Sequence, residues 1–283
     1  METVNFVEVE AKALTSALKL ANAIIEVRNT IPVLNDVRLT YSNKGLLVEA
    51  TDLDLHAIIN VDDIDGAGKW ALCVPARHLA AIAGAAGTGC VRIEPTKSDE
   101  TNPKTGATSI KHSAIITAGV ASYEIQTIDA ADFPVIHGDR AGIVEKFTNG
   151  HFAQALKKVS GCISTEETRY YLNGVNWAST EDGKRMAATD GHRLALCRYA
   201  KNEDGAQFSY IIPRKTVTVI SQFLANADIE IFSVAKGNQI VDTVLDFKAP
   251  GITLRSKLID GTYPDIERVL PKNLQHEVEI RTE

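Results

Sequence analysis

The sequence predicts an α+β protein built from two copies of one module. Four segments recur in the same order and at one constant spacing, that from Asp52 to Asp190, which is hard to obtain by chance. We call this spacing the repeat length. Each copy carries two segments with apolar residues at helical spacing and many short segments with strand-like alternation. Two helices among short antiparallel strands are typical of the α+β class.

The repeat is read from pairs of similar segments. SALKLA matches QALKKV, and VLNDV matches YLNGV, in each case one repeat length further along the chain. EATDLDLHA matches AATDGHRLA, which aligns Asp52 with Asp190, and CVPARHL matches IIPRKTV, which aligns Pro75 with Pro213. Near the ends of the copies, AADFPVI resembles DGTYPDI at a slightly shorter spacing.

These matches predict the domain organisation. One domain spans residues 1–138 and a second spans 139–270, joined around VIHGDRAGIVEKF. After the second copy, EVEIRTE resembles the first strand of the module, as do NFVEVEAK and GIVEKFTN. We therefore expect residues 271–283 to be a linker and the first-strand stub of an absent third domain, in a truncated chain or a shortened homologue.

The elements follow the same order in both copies. The first helix is predicted from apolar residues at helical spacing, which are Leu14, Leu18, Ala21 and Ile25, and then Phe152, Leu156, Val159 and Ile163. Strand-like segments such as VRLTY, LLVEA, GVNWAS and KRMAAT come next. The second helix begins at Pro75 or Pro213, where a missing N–H costs least. Further strands, such as CVRIEP and IEIFSV, complete each copy.

Two segments of the first copy need separate interpretation. GAAGTG, residues 84–89, is rich in glycine but follows a predicted helix, so it is interpreted as a helix exit and not as a phosphate loop. EPTKSDETNPKTGATS, residues 94–109, is polar throughout and is predicted to be a long, mobile hairpin loop.

Composition bounds the class of protein. A hydrophobic content of 45% and a charged content of 23% are typical of a soluble globular protein. The net charge is −6, and the excess acid lies in the first copy, where Asp and Glu outnumber Lys and Arg by 17 to 11. Because proteins that hold nucleic acid by bulk charge are usually basic, any contact with DNA must be local or topological.

The cysteines and the N-terminus give no sign of export. Cys73, Cys90, Cys162 and Cys197 form no CxxC pair and lie among apolar residues, which favours reduced core thiols in a cytoplasmic protein. METVNFVEVE lacks the basic and apolar regions of a signal peptide. No apolar run approaches the roughly 18 residues that a membrane span needs.

AATDGHRLALC, residues 187–197, is the strongest candidate for chemistry. Its Asp190, His192 and Arg193 are close enough in sequence for a catalytic or metal site. Asp190 recurs in the first copy as Asp52, however, which favours a structural role in a turn. No candidate nucleophile lies on a glycine-supported elbow, and no HxxxH, HxxEH or GxxxxGK[ST] motif occurs. We therefore predict no catalytic residue, no metal and no cofactor.

The residues that follow Asp190 are specific to the second copy. Gly191, together with Leu172 and Leu194, could form a shallow apolar notch with Arg193 at its rim. Such a notch suits a short peptide with an aromatic or leucine anchor.

Several motifs together resemble a known family. TRYYLNGV, AATDGHRLALC, IIPRK and SKLIDGTYPDIERVLPKN, in this order, resemble the bacterial sliding clamp, the beta subunit of DNA polymerase III. ATDLDL, VPAR and AADFP resemble its first domain, so the resemblance covers nearly the whole chain. It implies the DNA-clamp fold, a closed ring of similar domains with helices on the inner face and antiparallel sheets outside. DNA passes through the hole, where weak, screened phosphate contacts allow sliding.

The resemblance also implies which residues meet DNA. The helix positions that would face the hole are Lys12, Lys19, Arg28, Arg77, Lys157, Lys158, Arg214 and Lys215, and a family loop adds Arg169, Tyr170 and Tyr171. Cations at a helix start oppose the macrodipole, which favours a DNA-facing role for Arg77, Arg214 and Lys215. The alternative for each is a solvated helix face, and Glu166 and Glu167 do not suit a phosphate-binding loop.

A peptide-binding pocket is implied as well. By motif matching it contains Leu172, Thr189, Gly191, His192, Arg193, Leu194, Pro264, Arg268 and Val269. In the family, a third domain completes this pocket and one face of the subunit interface.

The function that follows is that of a non-catalytic processivity factor. Its expected partners are double-stranded DNA, DNA polymerase III subunits, the clamp loader and other proteins with clamp-binding motifs. It would associate with itself into a ring, and three two-domain subunits would supply six modules. The alternatives are a clamp-derived module that binds peptides without encircling DNA, and an enzyme that uses Asp190, His192 and Arg193.

Overall fold

The computed structural model describes residues 5–62, 64–101, 108–203, 205–237 and 239–270. Its helices are α1 (Ala11–Ile24), α2 (Ala76–Ala86), α3 (His151–Ser160) and α4 (Arg214–Phe223). Helix α1 contacts both α2 and α4, and α4 contacts α3, so the helices form one row in the order α2–α1–α4–α3.

The strands divide between the two halves of the chain. The first half contains β1 (Phe6–Glu10), β2 (Asp36–Ser42), β3 (Gly45–Thr51), β4 (Leu55–Val61), β5 (Ile64–Ala67), β6 (Trp70–Pro75), β7 (Cys90–Thr101), β8 (Thr108–Ala118), β9 (Ala121–Gln126) and β10 (Ile128–Asp129). The second contains β11 (Asp139–Phe147), β12 (Gly174–Thr180), β13 (Gly183–Thr189), β14 (Leu194–Ala200), β15 (Phe208–Pro213), β16 (Ile229–Lys236), β17 (Gln239–Ala249) and β18 (Ile252–Lys257). Short 3₁₀ turns lie at Pro32–Asn35, Ala130–Asp132, Tyr170–Leu172 and Ile266–Arg268.

The strands form three antiparallel sheets. Their orders are β5-β1-β7-β8-β9, β14-β13-β12-β15 and β10-β6-β2-β3-β4-β18-β17-β16-β11. The nine-stranded sheet joins the two halves of the chain, because β18 pairs with β4. We call this junction the internal seam.

The predicted repeat is confirmed in the order of the elements. Strands β12 and β13 begin one repeat length after β2 and β3, and α4 begins one repeat length after α2. The predicted α+β class and antiparallel sheets are confirmed, as is the helix exit at Gly87, which has φ +61°.

Both halves contribute to the core beneath the helices. Helix α1 buries Leu14 and Leu18 completely, and α3 buries Phe152, whose ring meets the buried Trp177 ring edge-on at 5.5 Å. Full burial of such a side chain contributes about 2 kcal/mol. The amphipathic spacing seen in the sequence therefore fixes each helix on its sheet.

Three local expectations are wrong. Helix α1 ends at Ile24 because Ile25 is extended, so Arg28 lies in a loop and not on a helix. Strands β7 and β8 remain paired as far as Thr101 and Thr108, so most of the polar run is strand. Cys90 is exposed, whereas Cys73 is buried. Residues 102–107 and the expected third-domain stub at 271–283 lie outside the described residues.

A buried ion cluster fixes the segment that links the two halves. Both oxygens of the buried Asp246 accept from Arg255, at 2.7 and 2.9 Å. Nη1 of Arg255 donates in turn to the carbonyls of Ile136 and Gly138. Arg140 donates to Asp246 at 3.0 Å. Because a buried carboxylate without its partners is costly, this cluster holds the linker against β17 and β18.

No helix in the described part of the chain is long and apolar enough to cross a membrane.

Candidate peptide pocket and basic helix layer

The turn between β13 and β14 is built by Thr189 and Asp190. Oδ1 of Asp190 accepts from the N–H groups of His192 and Arg193, both at 3.0 Å. The Thr189 hydroxyl accepts from Gly191 N–H at 3.1 Å and donates to the Arg193 carbonyl at 2.8 Å. These backbone hydrogen bonds, and the Arg193 side chain at 2.9 Å, hold the pKa of Asp190 well below its ordinary value. Asp190 is thus an acceptor within the turn and is poorly suited to proton transfer.

An apolar cavity of about 500 Å³ opens beside this turn. It is lined by Arg169, Tyr171, Leu172, Thr189, Gly191, His192, Arg193, Leu194, Pro264, Asp265, Ile266, Val269 and Leu270. Behind it, the buried Leu172, Ala187, Ile211, Tyr263 and Ile266 pack into one cluster. A concave apolar site with a few polar groups at its rim is what an anchored peptide requires.

Tyr263 connects the cavity floor to the turn. Its hydroxyl accepts from the Thr189 N–H at 2.9 Å. Burial raises the pKa of Tyr263 to about 12, so the ring stays neutral at physiological pH.

Glu267 fixes the outer wall of the cavity. Its carboxylate accepts from Arg185 at 2.8 Å and from Arg198 at 2.9 Å. Since Glu267 lies in the 3₁₀ turn that carries Ile266, these bonds tie that wall to β13 and β14.

Eight of the nine predicted pocket residues line this one cavity, and Arg268 does not. The 3₁₀ turn directs Arg268 to solvent, where it donates to Asp265 at 3.1 Å. Sequence reasoning missed Asp265, Ile266 and Leu270 as lining residues; their closeness to Pro264 and Val269 in the chain was the available signal. It also placed Arg169 and Tyr171 toward DNA, whereas both line the cavity.

His192 and Arg193 also line a second, more polar cleft of about 540 Å³. Its other walls include Glu166, Asp190 and, from helix α4, Arg214 and Thr218. The turn therefore separates an apolar pocket from a polar cleft that borders the helices.

The row of helices is free of acid. None of the chain's 36 Asp and Glu residues lies in α1–α4, whereas seven of its 30 Lys and Arg residues do: Lys12, Lys19, Arg77, Lys157, Lys158, Arg214 and Lys215. In a chain of net charge −6, this segregation makes one layer positive. We call it the basic helix layer.

The residues predicted to meet DNA have different surroundings. Arg28 and Arg77 are exposed, and Tyr170 is 54% exposed. Arg169 is held by both carboxylate oxygens of Glu166, at 2.8 and 2.6 Å. Among the helix cations, Lys12, Lys19, Lys157 and Lys158 are exposed.

The first two residues of α4 are engaged within the protein. Arg214 donates to the carbonyls of Ile163 and Ser164, at 2.8 and 2.6 Å. Lys215 pairs with Asp52 at 2.6 Å and also with Glu26, across the internal seam. Their charges therefore serve the packing of the helix against its surroundings.

The described residues contain no cluster of three or more His, Cys, Asp or Glu side chains that could hold a metal ion. A repeated α+β protein with its helices in one basic row and an apolar pocket beside a turn belongs to the class of DNA clamps.

Comparisons with known proteins identify the family. Residues 5–137 match the model of the DNA polymerase III beta subunit N-terminal domain, and residues 146–265 match that of its central domain. The beta sliding clamp of Caulobacter vibrioides is 31% identical over 271 residues, which cover 94% of this chain and 68% of that protein. That of Pseudomonas putida is 29% identical over 268 residues, or 93% of this chain and 67% of the relative.

Solved structures agree with this result. The Pseudomonas aeruginosa sliding clamp bound to griselimycin superposes with a TM-score of 0.80 at 26% identity, covering 95% of this chain and 69% of that one. The Caulobacter crescentus beta sliding clamp superposes with a TM-score of 0.79 at 28% identity, covering 96% of this chain and 69% of that one. The chain belongs to the beta sliding clamp family, and it spans about two thirds of the length of these relatives.

Proposed function

We propose that this chain acts as a DNA polymerase processivity clamp, which encircles duplex DNA and holds partner proteins through the pocket beside Asp190. The observation that carries the proposal is the basic helix layer on an otherwise acidic protein. Because the helices carry cations and no acid, this layer attracts phosphates although the rest of the chain is net acidic. Since salt screens such contacts at about 10 Å, DNA is retained by topology and can still slide.

Of the residues predicted to meet DNA, those whose side chains are not engaged within the protein are proposed to face it. We call them the DNA-facing set. It consists of Lys12, Lys19, Arg77, Lys157 and Lys158 on the helices, with Arg28 and Tyr170 at their margins. An exposed aromatic ring such as Tyr170 can stack on bases at an unpaired end.

Retention on circular and linearised DNA tests the topological link. The protein, loaded on nicked circular DNA, should be retained at moderate salt and lost when the circle is cut. Lys157→Glu with Lys158→Glu should shorten the residence time at least several-fold, whereas the equally exposed pair Lys201→Glu with Lys236→Glu should not. Equal retention on linear DNA would overturn encirclement and leave a peptide-binding module that does not enclose DNA.

The pocket is proposed to take a short linear motif from polymerase subunits, the clamp loader or repair proteins. Its apolar wall suits a leucine or aromatic anchor. Val269 is 69% exposed, so Val269→Asp should fold normally and weaken binding of a fluorescent clamp-binding peptide at least tenfold. Ile240→Asp, at a residue 59% exposed and away from the pocket, is the matched control. Unchanged affinity in Val269→Asp would remove the pocket assignment.

Further features of the proposal follow from the family. The domain boundaries are proposed at residues 1–138 and 139–270, with the ring built from such domains. The chain would have no catalytic activity of its own and would work in the cytoplasm. A turnover that disappears in His192→Ala while folding is retained would contradict the non-catalytic assignment.

A further inference from the structure

A cleft between helix α3 and strand β14 is lined by basic side chains and by no carboxylate. It has a volume of about 290 Å³, and its polar walls are His151, Gln154, Lys158, Arg198 and Tyr199. The peptide pocket and the polar cleft beside it, by contrast, each contain a carboxylate. In a chain of net charge −6, this grouping makes the cleft locally positive. We call it the cationic cleft.

Helical spacing brings the polar residues of α3 to the cleft. His151, Gln154 and Lys158 follow one another at intervals of three and four residues, so they lie on one face of the helix. Lys157 is also exposed, but it lies on the adjacent face and does not line the cleft. Strand β14, which contacts α3, supplies Arg198 from the other side.

The three basic side chains keep donors for a ligand. His151 and Lys158 are exposed. Arg198 is 53% exposed, and its Nη2 donates to Glu267, which lies outside the cleft, at 2.9 Å. Because a guanidinium carries five N–H donors in a planar fork, this bond leaves others for an oxyanion.

The carboxylate behind the cleft has its own cation. Glu145 accepts from Lys184 at 3.3 Å and from the Tyr199 hydroxyl at 2.9 Å. Trp177 donates to the same hydroxyl at 2.7 Å. The charge of Glu145 is therefore balanced by Lys184, on the far side of Tyr199 from the cleft cations.

The first copy contains the equivalent cleft without the cations. The positions one repeat length before His151, Lys158 and Arg198 also line a cavity, and they carry Ala13, Leu20 and Asn60. The equivalents of Gln154 and Tyr199 line it too. Because the first copy folds in the same way with neutral residues at all three positions, the fold does not require these charges. They are a specific feature of the second copy.

We propose that the cationic cleft binds a small oxyanion with two negative charges, namely inorganic phosphate or the phosphate of a monoester. Arg198 offers the planar donors, and Lys158 the compact ammonium group, that commonly hold phosphate oxygens. Two permanent cations and a histidine attract a dianion more strongly than the single charge of a phosphodiester. The site is separate from the peptide pocket, and it does not depend on the proposed function.

NMR signals of the histidine rings test the site directly. When inorganic phosphate is added at neutral pH and constant ionic strength, the His151 signals should shift and saturate, whereas those of His78 should not. His78 is exposed on α2, so it reports any diffuse attraction of phosphate to the basic helix layer. Equal responses of the two rings, or no saturable shift of His151, would overturn the proposal.

Single substitutions test the lining residues. Arg198→Gln and His151→Gln should each weaken phosphate binding, measured by the phosphorus NMR linewidth, about threefold to fivefold, which is the effect of losing one exposed ion pair. Lys157→Gln, on the same helix but outside the cleft, is the matched control and should leave the affinity unchanged. An equal loss in Lys157→Gln, or none in Arg198→Gln, would overturn the proposal.

Dimethyl phosphate tests the class of ligand. It carries one charge, as the phosphodiesters of DNA do, and should bind several-fold more weakly than inorganic phosphate. Equal affinity would overturn the assignment to a dianion, because the cleft would then accept a phosphodiester equally well.

Sulfate tests the contribution of His151, because it remains a dianion when pH changes. The groups that face His151 are Gln154 and Lys158 along α3, Phe147 of β11, and Cys197, Arg198 and Tyr199 of β14. Since a histidine ring gains its charge near about pH 6.5, sulfate should bind about threefold more tightly at about pH 6 than at about pH 8. His151→Gln should remove this difference. A difference that persists in His151→Gln would contradict a site that contains His151.

Discussion

The two Thr-Asp turns of the molecule share their aspartate-to-backbone hydrogen bonds and have different neighbours. In the first half, Oδ1 of Asp52 accepts from the N–H groups of Asp54 and Leu55, at 3.0 and 2.7 Å, just as Asp190 accepts from His192 and Arg193. Asp52 faces the internal seam, however, whereas Asp190 faces a cavity. The acid shared by the repeats is thus a fold element, and the difference in function lies in the residues around it.

A charged network fills the surroundings of the first turn. Where the second half has Ala187 and Leu194, the first half has the buried Glu49 and His56. Arg38 donates to both oxygens of Glu49, at 2.7 and 2.6 Å, and lies over the Phe133 ring. A buried charge that has lost its partner is costly, so this network keeps the site filled.

The largest expected effect comes from removing the acid of the seam turn. Asp52→Ala removes two backbone hydrogen bonds and one of the two carboxylate partners of Lys215, and should lower the free energy of unfolding by about 3 kcal/mol. Asp190→Ala should lower it less, because its turn is more exposed. Urea unfolding of both variants checks the order; a larger loss for Asp190→Ala would show that the seam does not add to the stability of its turn.

A smaller difference is expected at the left-handed residue of each turn. Gly191 has φ +90°, and a Cβ there would lie 2.5 Å from Nη1 of Arg169. Gly191→Ala should cost about 1–2 kcal/mol and weaken peptide binding by displacing Arg169. The equivalent Leu53 adopts φ +80° as a non-glycine residue, so Leu53→Gly should stay within about 1 kcal/mol of wild type.

Thermal melts and peptide titrations of these two variants supply the check. Full peptide affinity in Gly191→Ala would show that the position of Arg169 does not matter to the pocket.

The smallest effect depends on pH. Burial raises the pKa of Asp36 to about 6, and the equivalent residue of the second half is Gly174. Because the folded state binds this proton more tightly than the unfolded state, stability is highest below about pH 4 and falls as pH rises toward 6. Two pKa units correspond to about 3 kcal/mol, and solvent screening reduces this value. Asp36→Asn should therefore stabilise the protein by about 1 kcal/mol at pH 8 and hardly at all at pH 4. An equal effect at both pH values would contradict this origin.

The sequence predicted most of the fold and the position of the pocket for definite reasons. The constant repeat length located the strands, the second helices and both turns, because each copy supported the other. The residues Gly191 to Leu194 stood out because they break the repeat.

The individual contacts of the cations could not be read from spacing. Arg214, Lys215 and Arg169 looked like a DNA surface, yet their partners lie in distant segments of the chain, as Asp52 does for Lys215, or depend on a loop conformation. Long-range partners of this kind become visible only in three dimensions. The length of the β7–β8 hairpin could not be predicted for another reason. Its polar composition is typical of loops, although the backbone pairing extends as far as Thr101 and Thr108.

The cluster of Asp246, Arg255 and Arg140 fastens the internal seam at a second place besides its paired strands. There it holds the covalent linker, through the carbonyls of Ile136 and Gly138. The equivalent positions of Asp246 and Arg255 in β8 and β9 are Ile115 and Glu124, so the first half has no such cluster there. A force that separates the two halves must therefore break this cluster as well as the β4–β18 pairing, so the two halves respond to load as one unit.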